Sequence, residues 1–394
     1  MNDRLRCYCQ LGDLSGSAGF LAATRQHIHQ HPELSFEEVD TAARVAEHLQ
    51  AWGWEVTRGV GGHGVVGTLR VGGSPRSLAL RADMDALPIQ EATGKPYASR
   101  RAGVMHACGH DGHTTMLLGA AQQLAGTRNF NGTVHLVFQP AEEAGRGSGA
   151  QRMIEDGLFE RFPCDAIFGL HNTPGVPAGT FGFGIGPFMS ASDTARITVH
   201  GRGGHAARPH QTVDPVLIAG SLVVALQSVV ARNIDPRQTA IVTVGALHAG
   251  SAANVIPDTA TMALSIRSFD AEVRALLELR IRALVTAHVH GYGGEVTIDY
   301  ERGYPVVVNS EAETRFAIQV AQELVGCERV IAPFAPVTGS EDFAYYLQHR
   351  PGSFLRLGNG EGANLHNPTY DFNDDILTVG AAYWTRLAER FLAD

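Results

Sequence analysis

The sequence predicts an α/β fold: one α/β domain interrupted by a smaller βαββαβ insert. Three observations carry this. Apolar runs at residues 77–81, 133–138 and 165–170 each end on acidic or imidazole side chains, as strands of an open α/β sheet do where they deliver residues to a site. From Thr194 the pattern changes to strand, helix, strand, strand, helix, strand, the order of a split-βαβ sandwich. Between the first two strands lies His106-Ala-Cys-Gly-His-Asp-Gly-His113, which puts three imidazoles, a thiol and a carboxylate into eight residues.

In chain order, Ser35-Phe-Glu-Glu38 reads as a capping box for a helix over 36–52, with Ala42, Val45, Ala46 and Leu49 at helical spacing. The histidines His27, His29 and His31 before it are expected in a polar surface turn. The strand at 77–81 runs into Asp83 and Asp85. A helix is expected after His113, through Met116, Leu117, Ala120 and Leu124 to Gly126, so that the histidine-rich stretch forms the loop entering it. The strand at 133–138 empties into Glu142-Glu143, and the strand at 165–170 ends on His171-Asn172. In the insert, helices are expected over 215–230 and 270–290, the second presenting Val273, Leu277, Ile281 and Val285 as one stripe. Ser310-Glu-Ala-Glu313 caps a further helix, and a helix over 376–392 closes the chain. The last third is expected to rejoin the first domain. That gives a discontinuous domain of 1–188 and 303–394 around an insert of 189–302, with hinges near Gly186-Pro187 and 300–305.

Composition narrows the function classes. At 394 residues the chain accommodates two domains, and 44% hydrophobic with 18% charged residues is an ordinary globular balance. A formal charge of −9 without a basic run argues against nucleic acid or an anionic membrane as partner. The longest apolar run, 215–226, is short for a bilayer span and reads as a buried helix. Five cysteines, Cys7, Cys9, Cys108, Cys164 and Cys327, are too few and too scattered for a disulfide framework and suit a reducing compartment, hence the cytoplasm. Residues 1–17 lack the apolar core of a secretory signal, and Cys7-x-Cys9 reads as part of a frayed leader.

Cys108 and His110 can turn toward one point if Gly109 lets the backbone bend, and thiolate with imidazole suits a borderline-soft divalent cation. Gly112 is expected to add freedom there as well. Paired glutamates at a strand end repel one another in a dry setting, which a cation relieves. Cys108, His110, Glu143, His171 and His366 thus offer five ligand groups, with the carboxylate of Glu142 next door. Amide hydrolysis near neutral pH needs a strong nucleophile, a polarised carbonyl and a proton for the leaving amine. Two divalent metals sharing a ligand, with a water between them and a carboxylate beside it, supply all three. A thiolate ligand makes metal occupancy fall at low pH.

Arg81-Ala-Asp-Met-Asp-Ala-Leu-Pro88, the stretch from His106 to His113, Gln139-Pro-Ala-Glu-Glu143, Gly203-Gly-His-Ala-Ala-Arg-Pro-His210 and Leu365-His366 together resemble the hippurate hydrolase subfamily of dinuclear metallo-aminoacylases. The resemblance covers nearly the whole chain. It implies a three-layer catalytic domain with a mixed sheet, a satellite domain through which two or four copies associate, and cleavage of small N-acyl amino acids. It makes Cys108, His110, Glu143, His171 and His366 the ligands of two divalent metals, Mn²⁺ or Zn²⁺, with Co²⁺ or Ni²⁺ as further options. It makes Glu142 the general base and gives Asp85 an orienting role, while His106 and His113 remain supporting groups. It also implies that His205 stabilises the oxyanion, from its own or a partner's satellite domain, and that Asn254 and Arg267 hold the substrate carboxylate. The competing readings are a dipeptidase or carboxypeptidase of the same fold, a hydrolase with Cys108 as nucleophile, and a binding protein without turnover. The last two leave Glu142 without a task.

Overall fold

Four adjacent parallel strands form the centre of an eight-stranded mixed sheet in the computed structural model, which describes residues 8–393. Along the sheet the order is Glu55–Val60, Gly64–Val71, Gly132–Gln139, Ser77–Asp83, Ala166–Pro174, Gly352–Gly360, Phe181–Gly182 and Val330–Ile331. The third to sixth strands run parallel, and antiparallel pairs flank them. Strands covered on both faces read as near-continuous apolar runs, which is why 77–81 and 133–138 were visible in the sequence. In Ala166–Pro174, Phe168 and Leu170 join the core with Leu117, Leu80 and Trp384. Gly169 alternates to the other face, where a Cβ would lie 2.8 Å from Phe354 and 2.9 Å from Phe343. Helices therefore cover both faces, giving three layers.

The chain forms two compact units. The first takes the residues through Gly186, Val308–Ala335 and the chain from Asp342; the second takes Pro187–Val307 and Pro336–Glu341. The second unit is thus wider than 189–302 and includes a distant hexapeptide. Its four-stranded antiparallel sheet has the order Ala240–Ala249, Thr259–Ser268, Ala191–His200, Glu295–Arg302. With helices Pro215–Asn233 and Ala271–Gly291 this is the expected βαββαβ sandwich.

Helix Pro215–Asn233 is only partly the buried helix expected. At 19 residues it is long and apolar enough to cross a membrane by length and composition. A stripe of Ile218, Ala219, Leu222, Leu226 and Val229 packs into the core of its unit. The other side leaves Leu217 59% and Val224 73% exposed. Apolar periodicity did not reveal that second face, because both sides of the helix are apolar.

Several local expectations are corrected by long-range partners. His29 lies in helix Ala18–Gln30 rather than in a surface turn, buried, with Nδ1 2.8 Å from Asp111 Oδ2. The next helix begins at Val39, and its first-turn amides are capped by Glu33, which accepts from Asp40 and Thr41 at 3.0 and 2.8 Å. Ser35 and Glu38 do not form the capping box. Ser310 does not cap either; its hydroxyl accepts the Gly352 N–H at 3.2 Å. The helix after the histidine-rich stretch starts at His110, so the last four residues of that stretch form its first turn. Gly112 is there for packing, since a Cβ would lie 2.2 Å from the Phe372 ring. Cys9 is no frayed leader: it is buried, its backbone N–H donates to Glu389 at 2.6 Å, and burial pushes its thiol up to about 12. Cys7 lies outside the described residues.

Candidate metal centre

Each strand end of the parallel quartet places one part of a polar cluster. Asp83 ends Ser77–Asp83, and Asp85 follows two residues on. Gly132–Gln139 leads through Ala141, which adopts a left-handed φ of 53°, into a single turn Glu142–Ala144. His171 lies inside Ala166–Pro174, one residue beyond the expected strand. His366 follows Gly352–Gly360 and also has a left-handed φ, 63°.

Gly109 sets the remaining pair. Its φ is 93°, and a Cβ would come within 2.4 Å of Asn172 Oδ1 and 2.7 Å of the Tyr370 hydroxyl. Only glycine fits, and the bend directs Cys108 and His110 into the same space.

The ligand atoms of Cys108, His110 and His171 all lie within 4.8 Å of one another, as do those of Cys108, Glu143 and His366, and those of His110, Glu142 and Glu143. Cys108, His110 and Glu143 each belong to two of these groups, so two metal positions with shared ligands are within reach of the same six residues. Cys108 Sγ lies 3.3 Å from His171 Nε2, and His366 Nε2 lies 3.2 Å from Glu143 Oε1. A fourth group, Asp83, His110 and His113, meets the same distance criterion.

Surrounding groups fix which imidazole nitrogens face inward. His171 Nδ1 donates to the backbone carbonyl of Asn172 at 2.7 Å, which leaves the Nε2 lone pair toward Cys108. His110 Nδ1 faces Asp85 Oδ1 at 3.2 Å, which leaves Nε2 buried and without a hydrogen bond. Asp85 also accepts the backbone N–H groups of Glu142 at 3.1 Å and Glu143 at 2.9 Å, and the Ser35 hydroxyl at 2.7 Å. His113 bridges Asp83 Oδ1 at 2.6 Å and Asn172 Oδ1 at 2.9 Å. Asn172 and Tyr370 escaped the sequence reading; the pair His171-Asn172 at a strand end was the available signal. His106 is buried with neither ring nitrogen bonded, and burial lowers it to about 4.

The electrostatics favour a cation. Burial pushes the Cys108 thiol up, and the charge of Glu143 adds to this. Burial alone would lower His110, yet Asp83 and Cys108 raise it well above the usual imidazole value. Bonds to Cys108 and Glu143 raise His366 to about 10. Burial and the neighbouring His113 hold His171 well below the usual range. Protons on His110 and His366 thus answer an excess of negative groups, a role a divalent cation takes over. Thiolate, imidazole and carboxylate donors with an orphaned buried nitrogen fit such an ion.

The remaining predicted residues lie in the second unit. His205 sits exposed on the two-residue strand Gly204–His205, paired with Val255–Ile256, and its Nδ1 accepts the Ala207 N–H at 3.1 Å. Asn254 is adjacent, its carbonyl accepting the Ala206 N–H at 3.1 Å. Arg267, on Thr259–Ser268, donates to the Ser340 hydroxyl at 3.1 Å, and burial lowers its pKa.

Residues 79–390 match the model of Peptidase family M20/M25/M40. The chain is 45% identical over 368 residues to a hippurate hydrolase of Campylobacter jejuni, covering 93% of this chain and 95% of the relative. It is 41% identical over 373 residues to an N-acetyl-L-cysteine deacetylase of Bacillus subtilis, covering 94% and 88%. Among solved structures, a dinuclear metal-binding peptidase of the M20 family from Bacillus subtilis superposes with a TM-score of 0.83 at 33% identity, covering 96% of this chain and 99% of the other. With a family model spanning most of its length and relatives similar from end to end, this chain belongs to Peptidase family M20/M25/M40.

Proposed function

We propose that the protein is a metal-dependent amidohydrolase that cleaves N-acyl amino acids to a carboxylic acid and a free amino acid. The observation that carries this is the carboxylate of Glu142 set within 4.8 Å of the ligand atoms of His110 and Glu143, beside a buried thiol and imidazole cluster. Relatives named as a hippurate hydrolase and an N-acetyl-L-cysteine deacetylase share this substrate class.

In this reading Cys108, His110, Glu143, His171 and His366 hold two divalent metals, Mn²⁺ or Zn²⁺, with Co²⁺ or Ni²⁺ also compatible with the donors. When bound, such ions acidify water and polarise the scissile carbonyl. Glu142 accepts a proton from the attacking water and delivers it to the leaving nitrogen. Asp85 orients His110 and holds the backbone of Glu142 and Glu143. His205 stabilises the oxyanion, and Asn254 and Arg267 take the substrate carboxylate. Two or four copies associate through the second unit, a role supported by the exposed Leu217 and Val224. None of Cys9, Cys108, Cys164 and Cys327 is paired in a disulfide, which supports a reducing, cytoplasmic setting.

A cysteine-nucleophile mechanism has one observation in its favour, the 3.3 Å contact between Cys108 and His171. It needs a thiolate and an imidazolium, and burial pushes both groups the other way. The sharper competitor is a dipeptidase or carboxypeptidase, since a peptide is itself an acylated amino acid. Released amine measured on N-benzoyl, N-acetyl, longer N-acyl and indolyl-acyl amino acids, beside dipeptides and longer peptides, separates the two. Higher kcat/KM on simple N-acyl amino acids is expected; preference for peptides overturns the proposal.

A further inference from the structure

Residues 35–38 were expected to cap a helix, and the structure gives them different work. Glu33 caps that helix instead. Glu38 is fully buried, and its Oε1 accepts two backbone N–H groups, from Phe36 at 2.9 Å and from Ala141 at 2.8 Å. Those two donors are unusual residues. Phe36 and Ala141 both carry a Cβ, yet they have left-handed φ values of 65° and 53°. Such a conformation is unfavourable for them and persists only where neighbouring bonds enforce it. One carboxyl oxygen holds both, across about a hundred residues of sequence.

The position matters because Ala141 directly precedes Glu142. The other side of the same turn is held by Asp85, which accepts the N–H groups of Glu142 and Glu143 and is itself held by the Ser35 hydroxyl. Residues 35–38 thus grip the turn twice, through Ala141 by Glu38 and through Asp85 by Ser35. Because Glu38 is the N-cap residue of helix Val39–Ala51, the grip is anchored on a regular element.

We infer that Glu38 is a positioning residue: it locks Ala141 in its left-handed conformation and so aims the carboxylate of Glu142 into the cluster of Cys108, His110 and Glu143. The inference rests on the amidohydrolase reading for its kinetic consequence and on geometry alone for the structural one. Glutamine keeps the shape of Glu38 and an accepting oxygen at Oε1, the atom that receives both N–H groups.

The test compares Glu38→Gln with Glu38→Met, which fills similar volume without an acceptor. Hydrogen exchange of peptides covering 36–38 and 140–144 is read on metal-loaded protein without substrate. Glu38→Met should lose protection in both peptides, and Glu38→Gln should keep it. In kinetics, Glu38→Met should lower kcat by about 10–100-fold with KM nearly unchanged, the cost of a misaimed group, and Glu38→Gln should recover most of it. Should Glu38→Met fold poorly, Glu38→Ala combined with Ala141→Gly replaces it. Glycine adopts the left-handed φ without the lock, so the double variant should exceed Glu38→Ala in kcat. Unchanged protection and kcat in Glu38→Met, a Glu38→Gln protein as slow as Glu38→Met, or no gain from glycine each overturns the inference. A wild-type protein that hydrolyses no N-acyl amino acid refutes the functional reading, and the exchange comparison still decides the role of Glu38.

Discussion

Asp85 Oδ1 lies 3.2 Å from Nδ1 of His110 and leaves Nε2 of that imidazole facing the cluster, buried and without a hydrogen bond. A carboxylate behind a ligating imidazole fixes its tautomer and strengthens it as a donor. Asp85→Ala should weaken metal binding by about 10–100-fold. Competition against a coloured chelator measures this; unchanged affinity shows that His110 needs no such partner.

We propose Glu142 as the group that transfers the proton. Glu142→Gln preserves shape and removes the base, so kcat should fall by about 10²–10⁴-fold. Metal affinity and the binding constant of an unreactive substrate analogue should stay close to wild type. A variant that turns over at near wild-type rate removes Glu142 from the mechanism.

The pair His29 and Asp111 makes stability depend on alkaline pH. Burial opposes the charge on His29, yet bonds to Asp111 and Glu91 raise it to about 9. Because its folded-state value lies above the unfolded one, about 6.5, its contribution is whole below that unfolded value. It is lost as pH rises through about 9. Urea unfolding at a series of pH values should show wild type losing more stability than His29→Gln over that interval. Parallel curves contradict the coupling.

Leu217 and Val224 form an apolar face on helix Pro215–Asn233 with no cover in its own unit. If copies associate there, Leu217→Asp with Val224→Asp should yield monomers in sedimentation velocity without loss of the folded state. An assembly that survives both charges lies elsewhere.

The fold, and the strand ends that bring the candidate ligands together, were legible because both rest on local pattern. Buried parallel strands write themselves as apolar runs, and each ended where a polar residue had to emerge: Asp83, Glu142, His171. The supporting contacts were not legible in the same way. Ser35 and Glu38 satisfy the spacing of a capping box, and nothing local shows that Glu33 takes the cap while they reach Asp85 and Ala141. His29 has the polarity of a surface residue, and only folding brings it to Asp111. Gly112 reads as a flexible point until Phe372, 260 positions away, packs against it. Residues whose meaning lies in a distant partner stay silent in a single sequence.

We propose that hydrolysis depends on metals held by Cys108, His110, Glu143, His171 and His366. The direct measurement strips the protein with a chelator, then titrates Mn²⁺, Zn²⁺ or Co²⁺ while recording heat of binding and hydrolysis of an N-acyl amino acid on the same sample. Binding of two ions per chain with activity rising as they bind is predicted, and both should be weakened by His366→Ala. Full activity in the stripped protein, or metal binding that leaves hydrolysis unchanged, would contradict it.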